Sequence, residues 1–470
     1  MAGAFSSINT ALSALRYQQA ALDIASTNIA NVSTDGYVRR RVVGETVGAA
    51  AAPAVWSRSN EIGSGVQSSG VQRMVDSLLD ARVRREHGRQ SYLDLKAAAM
   101  ARVETGIAEP SETGVAKAID TFQKSLDDLN NAPSSDAARS QVLANANVVA
   151  DAFNIQARNL EDETGDQRAR VLSTVQEIND VAKQLADTNF TISTSSGNGS
   201  DTATLMDTRD QLALRLSELT GATATTRADG GMDMTLGGVS LVSGRTSATL
   251  QIATGITPTG AGDGSPVAFT LLQQDGTTPA VVPPTGELAA SVELIDVVLP
   301  GYAAGLNDLV KQFADAFNDA HDDGYDATGA VGGKFFDYTD PDRAGSLKVV
   351  VTSTSAIAVS SVASTTPGVG NNDTGNASKL ADSITIQDGY QRLVNGFGSA
   401  VASTQRLAAN QVAMTSQVDA AREQQAGVSI DEETVNMVMA QHSYEAAARV
   451  MTTVDEMLDT LINRTGIVGR

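Results

Sequence analysis

Near the start of the chain, Ile8, Leu12, Leu15, Gln19, Leu22, Ser26 and Ile29 recur with the alternating three- and four-residue steps of a helical seam. The row includes Gln19 and Ser26 and is flanked mostly by alanine, so the stripe is narrow and gives a lone helix little to bury. The far end repeats the device with Met437, Ala440, Tyr444, Ala447, Met451, Val454, Leu458 and Leu461. Ser429 and Glu432 have the S-x-x-E spacing of a capping box, and Asp431 and Glu433 add negative charge where the helix dipole favours it. A helix is therefore predicted from about Ile430 almost to the end.

Between these ends the texture changes twice. From about Arg73 to Thr220 the pattern is helical, with breaks near Gly106 to Pro110 and at "NNAPSSD", where Ser134 or Ser135 follows a proline stop as an N-cap. Residues 221–300 are rich in proline and glycine, with short alternating runs such as "MDMTLGGVSLVSG", and predict a small β domain. Helical character is expected again from about Gly301 and from about Asn376 to Ala426, with an extended piece, "SLKVVVTSTSAIAVSS", between.

This order predicts a mainly α chain with a β-rich insertion. It is expected to form an elongated hairpin in which the N- and C-terminal helices pair as a coiled coil. A helical middle domain and a small β domain at the tip complete the expectation. The predicted divisions are 1–48 and 429–470 for the halves of the coiled-coil inner domain, 49–221 and 301–428 for the parts of the helical middle, and 222–300 for the outer β domain.

Composition narrows the function classes. A chain of 470 residues exceeds what one core usually covers, and with 41% hydrophobic but only 4% aromatic residues its cores should be built from Ala, Val, Leu and Ile. The net charge is −21, and because residues 1–150 hold equal numbers of basic and acidic side chains the whole excess lies beyond them. Such a polyanion repels nucleic acid and anionic membrane surfaces, so neither is expected as a partner. Without cysteine there is neither a disulfide nor a thiolate. The N-terminus lacks the basic leader and apolar run of a cleaved secretory signal, and no stretch approaches the ~20 apolar residues of a membrane span.

No catalytic, cofactor or metal constellation stands out. "DAHDDGYDATGA" places Asp319, His321 and Asp323 at the first, third and fifth positions of a calcium loop, but Ala330 replaces the closing glutamate, which favours a solvated acidic turn. The histidines are scattered, "GSGVQSSG" misses a nucleotide-binding spacing, and Arg82, Arg84 and Arg85 suggest a solvated helix face. The most loaded stretch is "STNIANVSTDGYVRRRV" at 26–42. There, Asn28 and Asn31 end a helix, Asp35-Gly36 turns, and Arg39 to Arg41 follow. Amides and arginines gathered beside a weak seam suit a surface completed on contact with neighbours.

That stretch resembles the N-terminal signature of the bacterial flagellar rod, hook and hook-associated proteins, with Asn28, Asn31, Gly36 and Tyr37 on the matching positions. The C-terminal "IDEE", "AARV" and "DEMLDTLIN" resemble the hook-associated protein 1 branch of that family. So do "GSGVQSSGVQR", "LMDTRDQLALRLSELTG" and "FNDAHDDGYDATG". The resemblance covers the chain apart from 222–300. It implies a non-enzymatic structural protein without cofactors, exported through the flagellar type III apparatus to the extracellular hook-filament junction. The implied partners are copies of itself, the hook protein, the second junction protein and an export chaperone on the C-terminal helix. Subunit contacts are expected at Ile8, Leu12, Leu15, Leu22, Asn28, Ile29, Asn31, Gly36, Tyr37, Met437, Tyr444, Met451, Val454, Leu458 and Leu461. The alternatives are a hook or distal rod protein, or an axial scaffold carrying a surface-binding β module. The segment from about Asp326 to Asn376 lacks a further inserted domain of the family, which makes the chain compact.

Overall fold

A computed structural model of the chain describes residues 2–47, 65–198, 200–364 and 373–460. Helix α1 (Ala2–Ala30) is followed by a β1–β2 hairpin (Arg40–Thr46 and Val66–Arg73) and by four helices, α2 (Ser77–Ile107), α3 (Val115–Asn131), α4 (Asp136–Gly197) and α5 (Ala203–Thr220). The interruptions at Gly106 to Pro110 and at "NNAPSSD" fall where the sequence places them, and Ser135 is the N-cap, accepting from the amide of Ala138 at 3.2 Å. Two small antiparallel sheets come next, β3–β6 from Thr223 to Ser247 and β7–β9 from Thr249 to Val281. Helix α6 (Gly286–Glu293) then runs through a π-helical turn, Leu294–Val298, into α7 (Leu299–Asp322). The remaining elements are β10 (Phe336–Asp337), α8 (Arg343–Ser346), β11 (Lys348–Val349), α9 (Gly375–Ser383), α10 (Gln387–Ala426) and α11 (Ile430–Asp459).

Three local expectations are corrected. The helix after the sheets begins at Gly286, not near Gly301. Pro300 looks like a break, yet it lies at the start of α7 just beyond the π turn, where a missing backbone N–H is tolerated. The joined helix Gly286–Asp322 is long and apolar enough to span a membrane, but Leu288, Leu294, Leu306, Val310, Phe313 and Phe317 are buried in the protein's own cores. The supposed extended piece pairs as a strand only at Lys348–Val349, with one further bridge at Ser360.

Two cores hold the body. The first gathers Phe122, Phe153, Phe313, Phe317, Phe335, Phe336 and Tyr390 from α3, α4, α7, the β10 region and α10. Its rings pack at centroid distances such as 4.8 Å for Phe313–Phe336 and 4.9 Å for Phe317–Phe335. The expected core without large rings is wrong here: aromatics are scarce over the chain but concentrated at one place. The second core follows the aliphatic expectation, packing Ile178, Leu185, Leu216 and Leu219 of α4 and α5 against Met234, Leu236, Leu241 and Leu271 of the sheets. Helix α4, 62 residues long, contributes to both.

Helices α2 and α10 pack together, and α2 also packs on α5 and α6. Arg84 on α2 is buried, which corrects its reading as part of a solvated face, whereas Arg82 and Arg85 are exposed. Three residues on, His87 lies 3.4 Å from Glu218 of α5 and 3.0 Å from Asp419 of α10. Hydrogen bonding to Glu218, then to Asp419, holds the His87 imidazolium above its ordinary pKa of 6.5 against the opposing effect of burial. A base raised in the fold stabilises fully below its unfolded pKa and ceases to do so as pH climbs through the folded one. The melting temperature should therefore drop on passing from below pH 6.5 to alkaline pH, and His87→Gln should flatten that slope. An unchanged slope in the variant, measured by calorimetry across that range, would remove His87 from the account.

Helix α1 packs along α11, so the first and last helices lie side by side as expected. Among the described residues, neither contributes a side chain to the two cores.

Candidate assembly site at the base of the terminal helix pair

The seam of α1 is displaced by one residue from the predicted row. Ala11, Ala25 and Asn28 are buried and Ala14, Gln18 and Ala21 half-buried, whereas Leu12, Gln19 and Ser26 are exposed. Alanine allows a closer helix approach than leucine, so the small row turns inward. Ile8, Leu15, Leu22 and Ile29 are left half-buried at its edge. On α11 the predicted row does face inward: Ala440 and Val454 are buried, Met437, Ala447, Met451 and Leu458 half-buried, and Tyr444 exposed. Leu461 lies outside the described residues. A flanking face of α11, roughly a quarter to a third of a turn from that row, carries a second apolar stripe that the sequence reading missed, with Val435 57%, Met439 56%, Val450 50% and Met457 52% exposed. Its members are spaced by four, eleven and seven residues, the signal of a second helical face.

At the base of the pair, the "STNIANVSTDGYVRRRV" stretch closes a knot around Asn28. This side chain is 0% exposed and has four partners. It donates to the Arg40 carbonyl and to Glu433 Oε2, both at 2.9 Å, and accepts from the Arg40 amide at 3.1 Å and the Tyr37 hydroxyl at 2.8 Å. Burial pushes the Tyr37 phenol up, keeping it a donor. Asn31 fastens the helix end, donating to the Thr27 carbonyl at 2.9 Å and accepting from Thr34 at 3.2 Å. Gly36 has φ +74°, and a Cβ there would lie 2.2 Å from Gln211, which donates to the Asp35 carbonyl at 2.6 Å. Asn28, Asn31, Gly36 and Tyr37 thus serve contacts within the chain.

The three arginines divide among separate tasks. Arg39 pairs with Glu433 at 2.7 Å and Glu432 at 2.8 Å on α11, and its amide donates to the Ala426 carbonyl that ends α10. Arg40 crosses to α5, binding Asp207 at 2.8 Å and Thr204 at 3.0 Å while its guanidinium lies over the Tyr37 ring. Arg73 at the end of β2 meets Asp207 at 2.6 Å and Asp210 at 2.7 Å. Arg41 is exposed and makes no ion pair among the described residues. Ser429 caps α11 as predicted, accepting from the Glu432 amide at 3.4 Å, but Glu432 spends its carboxylate on Arg39 instead of closing a capping box. Glu433 and Asp207 are the residues of this knot that sequence reasoning did not single out. Local patterning marks Glu433 only as helix-start charge and Asp207 only as a helix residue.

The knot joins the terminal pair to the body through charge-assisted hydrogen bonds. No group of three or more metal-ligating side chains forms among the described residues. In the calcium-like run, His321 is buried, with Nδ1 donating to the Gly333 carbonyl at 2.7 Å and Nε2 accepting from the Ala358 amide at 3.1 Å. Both ring nitrogens are thereby committed to backbone. Asp326 organises the following turn by accepting from Thr328 and Ala330.

Residues 100–336 match the family described as flagellar hook-associated protein FlgK helical domain. Residues 415–464 match the flagellar basal body rod FlgEFG protein C-terminal family, and 8–37 the flagella basal body rod protein family. The flagellar hook-associated protein 1 of Bacillus subtilis is 30% identical, with 100% of each chain covered. That of Salmonella typhimurium is 25% identical over 97% of this chain and 99% of its own. The solved flagellar hook junction protein FlgK from Burkholderia pseudomallei shares the fold with a TM-score of 0.64 at 16% identity, covering 74% of this chain and 100% of that one. An alanine-seamed pair of terminal helices, an Asn28-centred knot at its base and full-length similarity converge: the chain belongs to the family of flagellar hook-associated protein 1, structural proteins of the bacterial flagellum.

Proposed function

We propose that this protein polymerises at the distal end of the hook and forms the hook-filament junction, as a non-enzymatic adaptor without cofactors. Residues 1–48 and 429–470 form the inner unit, 49–221 and 301–428 the middle, and 222–300 the outer β unit. It leaves the cell through the flagellar type III apparatus. Its C-terminal helix engages an export chaperone first, and copies of itself, the hook protein and the second junction protein afterwards. Leu12, Tyr444 and the partly exposed Ile8, Leu15, Leu22, Ile29, Met437, Met451 and Leu458 are the contact positions that remain accessible.

One observation carries this reading. The terminal pair lies outside both cores, closes on alanine, and leaves larger apolar side chains such as Met439 and Val450 in solvent. Ordering a helix costs ~1–2 kcal/mol per residue in backbone entropy, which an alanine seam offsets poorly until neighbours cover the outer face. Hydrogen exchange on the free chain should show residues 7–30 and 430–459 exchanging faster than the core helices α3 and α7, and slower once assembled in flagella. Equal protection of all four segments in the free chain would contradict coupled ordering. Immunogold labelling that found the protein elsewhere than between hook and filament would contradict the junction assignment.

A further inference from the structure

Where α4 passes the π turn and the start of α7 lies a cleft of about 320 Å³. Its floor is aliphatic, with Leu160 of α4, Ile295 of the π turn, and Leu299 and Leu306 of α7 all buried. Turns of π geometry inside helices recur at functional sites, and this one supplies part of the floor. Three charged side chains stand around it: Arg168 and Glu161 of α4, and Asp342 before α8. Asp342 is engaged as a cap, accepting from the Gly345 amide at 3.0 Å. The other polar wall residues are engaged as well, Thr164 donating to the Leu160 carbonyl at 2.7 Å and Asn307 accepting from the Ala344 amide at 2.7 Å. Their neighbours on α4 are paired too, Glu163 with Arg102 at 2.6 Å and Arg170 with Glu287 at 3.8 Å, whereas Arg168 and Glu161 form no ion pair among the described residues. Arg168 Nε is buried without a hydrogen-bond partner there. Gly262 of the β insertion closes on its guanidinium, where a Cβ would lie 2.9 Å from Nη2. Arg168 and Glu161 are seven residues apart, two helical turns or ~10 Å.

We propose that this cleft binds a free peptide of about three apolar residues, its terminal carboxylate on Arg168, its terminal ammonium on Glu161 and its side chains on the aliphatic floor. An extended chain advances about 3.3–3.6 Å per residue, so three residues cover the ~10 Å between the two charges. A guest of one sign fits less well. An anion meets Glu161 and Asp342, together with Asp162 and Asp166 in the open cleft that adjoins Arg168, and a cation meets Arg168 itself. The volume lies at the small end of the ~300–1,000 Å³ usual for ligand sites, which suits a tripeptide and is too small for a folded partner. Binding here is independent of the assembly proposed above, because neither terminal helix lines the cleft.

Calorimetric titration of the full chain with the peptide Ala-Leu-Ala should show one saturable site per molecule at micromolar to millimolar concentration. Arg168→Gln should weaken binding about tenfold and Glu161→Gln about threefold. Neither side chain has an ion-pair partner among the described residues, so both variants should unfold at the urea concentration of the unmodified chain, which separates a lost ligand contact from a lost fold. Acetylating the amine and amidating the carboxylate of the same peptide should abolish binding. Gly-Ser-Gly, with free ends but no apolar side chain, should bind about tenfold more weakly. The blocked-peptide comparison uses the unmodified chain and so stands whatever the stability of the variants. No saturation by millimolar Ala-Leu-Ala, equal binding of the blocked peptide, or an affinity unchanged in Arg168→Gln overturns the site.

Discussion

Asn28→Ala should strip the terminal helix pair of its hydrogen-exchange protection while both cores stay folded. The substitution removes one small side chain, yet it orphans the Arg40 amide and carbonyl, the Tyr37 hydroxyl and one oxygen of Glu433 at a site that is 0% exposed. Leaving a buried polar group unpaired costs about 1–3 kcal/mol each, so the four together set a local loss of at least about 4 kcal/mol. The alanine seam of α1 has little apolar area with which to offset it. The loss should appear in amides of 7–30 and 430–459, with those of α3 and α7 unchanged, and cells carrying the variant should lose motility. Asn28→Asp keeps the shape but removes both donated bonds and sets a second carboxylate against Glu433. Its defect should ease as pH falls, because protonation returns a donor. Exchange in α1 indistinguishable from the unmodified chain in Asn28→Ala would show that the knot does not hold the pair.

The second large effect is expected from Asp207→Ala. Arg40 and Arg73, with side chains 7% and 6% exposed, both bind this carboxylate, and Arg209 and buried Arg84 lie in the same region. Removing Asp207 leaves Asp210, which already binds Arg73 and Arg209, as the nearest counter-charge of the cluster. Breaking a buried pair by deleting one partner typically costs 3–5 kcal/mol, about as much as deleting a core side chain. Urea unfolding should show the free energy of unfolding lowered by that amount, with a correspondingly lower midpoint. Asp120→Ala, at the exposed Lys124 pair, should lower that free energy by less than about 0.5 kcal/mol. If the two variants unfolded at the same urea concentration, the cluster would be decoration, not the anchor between stalk and body.

The two predictions meet at residues whose importance was unequally visible beforehand. Asn28, Gly36 and Tyr37 could be marked from the sequence because turn chemistry and the resemblance both fall on them. Glu433 and Asp207 could not be tied to them, since their partners lie 405 and 167 residues away along the chain. The one-residue displacement of the α1 seam has the same origin. Periodicity ranks leucine as the inward residue, but close packing against α11 selects alanine, and no single helix records how near its neighbour will come.

What the sequence determined alone was local: the helix breaks, the Ser429 cap, the β texture of the insertion, the paired seams at the two ends, and the motifs that carry the family resemblance. Each follows from backbone preferences and periodicity within some ten to thirty residues. Tertiary structure alone decided the rest. It showed that scarce phenylalanines converge into one core, that Arg39 and Arg40 reach different helices, and that the larger side chains of the terminal pair remain in solvent. Those outcomes depend on distances between segments remote in the chain, which hydrophobic pattern and charge constrain but do not specify.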